Sequence, residues 1–408
     1  MGLGLNGLDK ARHWMRPGTL QLAALPPLAV YVHLPWCLRK CPYCDFNSHE
    51  SAQGLSDEQA QTYLEALCSD LEAALPLVWG RPVVSVFIGG GTPSLFTPRH
   101  IAQLLSDLRA RVPLEPGCEI TLEANPGTFE IDRFRGYREA GVTRLSVGVQ
   151  SFNDAKLHRL GRVHDAAQAR AAVEEARAAF DTFNLDLMYA LPDQTLDELA
   201  AELDELERLQ APHVSLYHLT LEPNTRFAVE PPNVPDADLA SDMLDLIASR
   251  TRAQGWERYE VSAHARPGHR CVHNTNYWEF GDYLGIGAGA HSKISFPHRI
   301  LRQVRWREPR RYLQEAPLGQ AVSNEHEVAR ADLPFEFAMN ALRLSAGVPL
   351  TLFTERTGLP LSALARAREL GVAQGLLEDD PARLQPTARG FDFLNDLQAL
   401  FLPSSPSR

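Results

Sequence analysis

The sequence predicts an α/β protein: a partial (β/α)6 barrel of the TIM type, followed by a mostly helical, winged-helix-like C-terminal domain. Three observations lead there. Short β-rich runs alternate with helical stretches between about residues 28 and 219, and such alternation means parallel strands joined by crossover helices. Successive runs also end in polar residues. A barrel builds its site at that end of all its strands, whereas an open doubly wound sheet gathers ligand contacts at one switch point. Finally, the alternation stops after about residue 305 and helical patterning takes over.

In chain order, Leu28–His33 reads as the first strand, and Cys37 to Cys44 follow it. A helical pattern runs from about Asp57 to Leu77. Val83–Ile88 is the second strand and leads into Gly89-Gly-Gly-Thr-Pro93, then a helix from about Pro98 to Ala110. Strands follow at Glu119–Glu123, Arg144–Val149, Phe183–Met188 and Val214–Leu219, with helices at about 130–140, 165–180 and 195–209 between them. Their C-terminal ends carry Glu123 and Asn125, Gln150, Asp186 and His218. The expected domains are an N-terminal extension (1–26), the barrel (27–230) and a barrel extension rich in Gly, His and aromatics (231–304). The C-terminal domain (305–402) and a frayed tail (403–408) complete the chain. In the C-terminal domain a helix is expected from Leu361 to Gln374, a turn at Gly375, and another helix after Gly390.

Composition narrows the function classes. At 408 residues the chain has room for two or three domains. Its 44% apolar content is that of a globular protein. A net charge of -11 argues against nucleic acid as a partner. The apolar stretch from Leu20 to Leu34 contains prolines and is too short to span a bilayer. Six cysteines are too few for a secreted disulfide scaffold. With no secretory leader pattern, the expected compartment is the cytoplasm.

Cys37-Leu-Arg-Lys-Cys41-Pro-Tyr-Cys44 forms C-x3-C-x2-C. Three thiolates on one loop can hold three irons of a [4Fe–4S] cube and leave the fourth open. Zinc is a rival, with His33 or His49 as a fourth ligand. Three buried structural cysteines are the plain alternative.

With the glycine loop Ile88-Gly-Gly-Gly-Thr-Pro93, this motif resembles the radical S-adenosylmethionine (SAM) superfamily. Tyr31-Val-His-Leu-Pro-Trp-Cys37, Cys41-Pro-Tyr-Cys-Asp-Phe-Asn-Ser48, Glu123-Ala-Asn-Pro-Gly127, Gly148-Val-Gln-Ser-Phe152, Asn184-Leu-Asp-Leu-Met188 and His273-Asn-Thr-Asn-Tyr-Trp278 resemble the HemW branch of the oxygen-independent coproporphyrinogen oxidase-like proteins. The likeness runs from about residue 27 to 400. It implies a [4Fe–4S] cluster on Cys37, Cys41 and Cys44 and SAM as a second cofactor. The positions it aligns with SAM are Tyr31, Tyr43, Gly90, Gly91, Thr92, Glu123, Gln150, Arg162 and Asp186. Each has an ordinary reading as well: a glycine turn, a helix-capping carboxylate, an Asp186–Arg162 ion pair.

The resemblance contains two functions. One is a haem chaperone, with haem as cargo, acceptor haem proteins as partners and a membrane surface as a place of delivery. The other is the coproporphyrinogen III oxidase, a decarboxylase whose motif carries a further cysteine two places on. Here Phe46 occupies that place. His273 to Trp278 matches a motif of the chaperone branch, where His273 is the expected haem contact. His264, His269 and His291 are alternative ligands. A hydrogen-bonded core histidine is the rival account of His273.

Overall fold

The computed structural model describes residues 18–127 and 133–403. Most of the N-terminal extension, the start of the helix expected at 130–140 and the tail beyond 403 lie outside the described residues. Six strands, β1 (Leu28–Leu34), β2 (Val83–Gly90), β3 (Leu114–Ala124), β4 (Arg144–Gln150), β5 (Thr182–Tyr189) and β6 (His213–His218), run parallel and in sequence order. Helices α1 (Asp57–Val78), α2 (Pro98–Arg111), α3 (Phe134–Ala140), α4 (Ala166–Ala179) and α5 (Leu196–Leu209) connect them. β1 does not pair with β6, so the barrel stays open, in agreement with the partial barrel that the sequence predicts.

Alternation explains the layering. On β1, Leu28, Val30, Val32 and Leu34 belong to the main apolar core with residues of α1 and α2. Tyr31 and His33 point the other way, into the barrel. Four of the five connecting helices begin where the sequence supplies reciprocal caps: Ser56 with Gln59, Thr97 with His100, Asp165 with Gln168, and Thr195 with Glu198. Each such cap satisfies backbone N–H groups that the helix cannot, worth about 1 kcal/mol.

The region after β6 extends the sheet at both edges. β7 (Glu257–Arg258) and β8 (Ala263–Ala265) lie beyond β6, with β8 antiparallel to it. β9 (Asp282–Ile286) pairs parallel with β1, and β10 (His291–Phe296), β11 (Arg299–Arg305) and β12 (Val322–Glu327) continue antiparallel. β12 departs from the helical pattern expected after residue 305. Its residues are nearly all exposed, because it is a charged edge strand with no apolar face to announce it.

β9 is anchored by a buried charge cluster. Asp282 receives Lys293 Nζ at 2.9 Å, Arg81 at 2.8 Å and the Ser295 N–H at 2.8 Å. Burial alone would raise the Asp282 carboxyl, but Lys293 and Arg81 hold it below its usual range. Between α6 (Ala237–Ala253) and β9, the short helix α7 (Val272–Trp278) packs against β2.

A second core is built by α8 (Leu333–Ala341), α9 (Leu350–Thr357) and α10 (Ala365–Ala373), with Phe337 edge-on to Phe353 at 5.3 Å. Val348–Pro349 pairs antiparallel with Arg383–Leu384 beside these helices. The helix expected from Leu361 starts as a 3-10 turn, Leu361–Leu364, before α10. Leu20 and Leu22 are buried in this second core, and their N–H groups bond to His298 and Pro297 carbonyls. Residues 18–26 are therefore part of the packed molecule.

Candidate cofactor-binding site

The cysteine loop leaves β1 and returns through a two-residue parallel pairing of Trp36–Cys37 with His49–Glu50. Ser51 N–H bonds to Cys37 O at 2.7 Å, and Lys40 Nζ bonds to Phe46 O and Ser48 O at 3.2 Å each. These bonds fix the shape of the loop. Cys37, Cys41 and Cys44 are all free thiols.

The glycine loop is stitched alongside. Gly91 N–H bonds to Leu34 O at 2.8 Å and Thr92 N–H to Trp36 O at 2.7 Å. A Cβ on Gly91 would come within 2.6 Å of Trp36 O, and Gly90 has φ +128°. Both positions therefore require glycine.

These loops wall one cleft of about 400 Å³ at the C-terminal ends of the strands, inside the roughly 300–1,000 Å³ range of small-molecule sites. Cys37, Cys41, Cys44, Tyr43, Gly90, Gly91, Thr92, Glu123, Gln150, Arg162 and Asp186 all line it. Asp186 and Arg162 do not pair as the ordinary reading expected. Arg162 bonds to Asn125 Oδ1 at 2.5 Å and Gly148 O at 2.9 Å, and lies 3.5 Å from Cys41 Sγ. Its Nε is buried without a partner among the described residues. Asp186 accepts from Ser146 Oγ at 2.9 Å and Asn184 Nδ2 at 2.8 Å. Gln150 ends β4 at φ +68°, a strained conformation for a side-chain-bearing residue.

Two carboxyls line one cleft, and neither forms a salt bridge with a described residue. Burial raises Glu123 to about 8, Asp186 adds to the shift, and the Gly90 N–H opposes it. Burial also raises Asp186, against its hydrogen bonds from Asn184, Ser146 and Ser215. A carboxyl raised on folding gives stability at low pH that is lost as pH rises toward its folded value. Glu123→Gln is therefore expected to stabilise the ligand-free protein, on the order of 2 kcal/mol at pH 7. The gain should grow from pH 5 to 8. Urea midpoints across that range measure it, and a pH-independent difference would contradict it.

Tyr31 and His273 are not among the side chains lining the cleft. Tyr31 points into the barrel, its hydroxyl 3.0 Å from His33 Nδ1. His273 sits at the far end of the barrel on α7, with 3% of its surface exposed. It is hydrogen-bonded to Ser85 Oγ at 3.0 Å and packed on Phe87 at 5.0 Å. Burial lowers it to about 3. The cleft also gathers residues the sequence did not single out as ligands: Arg39, Met188, Tyr217 and His218. Their positions at strand ends or in the cysteine loop were the available signal.

Among the described residues, no three Cys, His, Asp or Glu side chains converge to hold a single metal ion, the arrangement zinc needs. A [4Fe–4S] cube binds each thiolate through a different iron and requires no such convergence.

A model of the radical SAM superfamily matches residues 31–206. Heme chaperone HemW of Haemophilus influenzae is 46% identical over 384 residues, 93% of this chain and 98% of that protein. This chain belongs to the HemW family of radical SAM proteins. HemW of Escherichia coli is 45% identical over 383 residues, 93% of this chain and 100% of that protein. A model of the HemN C-terminal domain matches residues 328–393, which hold α8 to α10. Among solved structures, coproporphyrinogen III oxidase HemN of Escherichia coli, a radical SAM enzyme, superposes with a TM-score of 0.79 at 25% identity, over 92% of this chain and 90% of that one. The HemW-family chain thus shares the oxidase's fold from the barrel through the C-terminal helices. Its cleft brings together groups the cofactors of a radical SAM protein need: three cysteines without disulfide partners on one loop, and the Glu123 and Asp186 carboxyls.

Proposed function

We propose that the protein is a haem chaperone, which binds haem and passes it to acceptor haem proteins. The observation that carries this reading is the 45% identity to HemW over 93% of the chain, against 25% to the oxidase HemN. Phe46, 61% exposed where the oxidase motif has its further cysteine, supports it. In this reading Cys37, Cys41 and Cys44 hold a [4Fe–4S] cluster, and the Arg162 guanidinium beside Cys41 offsets thiolate charge. SAM occupies the cleft over Gly90, Gly91 and Thr92. Glu123 and Asp186 take its cationic or hydroxyl groups, Gln150 and Arg162 its polar ones, and Tyr43 packs against its adenine. When bound, the two cofactors supply one-electron cleavage chemistry; the chain positions them and excludes water.

No helix among the described residues is long and apolar enough to cross a membrane. We place the protein in the cytoplasm, with delivery to acceptors that include proteins at a membrane surface.

The fold likeness to HemN favours a second reading, oxidative decarboxylation of coproporphyrinogen III. The reduced protein, with cluster and SAM shown intact, is given coproporphyrinogen III and assayed for protoporphyrinogen IX. No conversion is expected. Stoichiometric or better conversion would make it the enzyme. Asp186→Asn is expected to weaken SAM binding about tenfold or more, about 1.4 kcal/mol, with cluster iron retained. Equilibrium binding of labelled SAM measures this, and unchanged affinity would remove Asp186 from the site.

A further inference from the structure

Four exposed residues of the cleft lining, its lip, are not among the SAM contacts assigned above, and they are unlike one another. Phe46 and Tyr217 are 61% and 43% exposed there. Both rings line the same cleft and are open to water. Beside them stands His218, the last residue of β6. Its ring stands edge-on to Tyr189, centroids 5.3 Å apart. The ring makes no hydrogen bond with any described residue. Arg39, on the cysteine loop, also lines the cleft; it is exposed and has no carboxylate partner among the described residues.

We propose that haem docks on this lip, with His218 as the protein's axial ligand to iron, Phe46 and Tyr217 against the macrocycle, and Arg39 pairing with a propionate. The proposal rests on the chaperone reading and adds the place and the ligand. Partial burial lowers the His218 pKa, which favours the neutral imidazole that can ligate iron. A flat apolar macrocycle satisfies exposed aromatic faces, and a guanidinium is a good partner for a carboxylate. The location also suits transfer. One protein ligand at an open rim leaves the other face of the iron for the acceptor's ligand, whereas an enclosed pocket would retain its cargo.

The other histidines fit less well. His273 is 3% exposed and packed on Phe87, and neither it nor His269 lines the cleft. His264 is 2% exposed within β8. His291, at the start of β10, does not line the cleft. His158 lies on the outer side of the cysteine loop, next to Arg159 and Arg226.

The test is a hemin titration of the full-length, cluster-loaded protein, followed by the Soret band and by electron paramagnetic resonance. Wild type is expected to bind one hemin with an imidazole-ligated spectrum. His218→Gly should bind at least about tenfold more weakly and lose that spectrum, and free imidazole should restore it. Phe46→Ala should weaken binding several-fold without changing the ligand signature. His291→Ala should leave both unchanged. Iron content and melting temperature confirm that each variant is folded. If His218→Gly binds hemin with wild-type affinity and spectrum, the site is elsewhere while the chaperone reading stands. If wild type binds no hemin, the chaperone reading fails and this site with it.

Discussion

Replacing Cys37, Cys41 or Cys44 by Ala, one at a time, is expected to strip the cluster iron while leaving the barrel folded. Each thiolate would hold a different iron, so losing one uncovers a corner of the cube. The loop itself does not depend on the thiols. The pairing of Trp36–Cys37 with His49–Glu50, the Lys40 bonds to Phe46 O and Ser48 O, and the Phe227 N–H to Pro42 O bond all survive the substitutions. Iron content and absorption near 400 nm after anaerobic purification should fall together, while the melting curve of the iron-free protein stays within a few degrees of the parent. Iron unchanged in all three variants would refute the ligand assignment.

Asp282→Ala is expected to destabilise the protein by about 3–5 kcal/mol, because it strands buried positive charge. Lys293 is 1% exposed and Arg81 has little surface, so neither can recover water without moving β9 or β10. Asp282 also accepts the Ser295 N–H and Oγ, both at 2.8 Å, so its loss opens the β9–β10 corner. Burial already pulls Lys293 down to about 8 with Asp282 present. Removing the carboxylate takes away the main interaction keeping the ammonium charged. Adding Lys293→Met to Asp282→Leu should recover part of the loss, since two apolar groups leave fewer unpaired charges. The urea midpoint reads both variants. A shift below about 1 kcal/mol for Asp282→Ala would contradict this account of the corner.

Much of the barrel was legible because its strands and helices state their periods locally. β1, β2 and β4 to β6 match the apolar runs to within two residues, and the helix starts follow the caps at Ser56, Thr97 and Thr195. The cleft was legible because its polar residues fall at successive strand ends, where a parallel sheet brings them together. What stayed hidden depends on long-range pairing. β9 joins the sheet beside β1, far away in sequence, and β12 presents Ser323 to Glu327 with no apolar alternation. The strand β3 begins five residues before its apolar part, through Glu115 to Gly117, which carry no strand signal. His273-Asn-Thr-Asn-Tyr-Trp278 shows another limit. A His among Asn, Tyr and Trp reads equally well as ligand or as core, and its bond to Ser85 depends on where α7 packs. His218 was visible only as the end of a strand. Its open ring nitrogens and exposed aromatic neighbours appear once the loop carrying Phe46 is folded over the same cleft.

Haem handover tests the central claim most directly. The cluster-loaded protein is given one equivalent of haem, separated from unbound haem, and mixed with an apo-haem protein whose spectrum differs from its own. The account predicts that haem stays with the protein through separation, then moves to the acceptor until the acceptor's spectrum is complete. Failure to hold haem through separation, or holding it without release to any apo-acceptor, would contradict a chaperone.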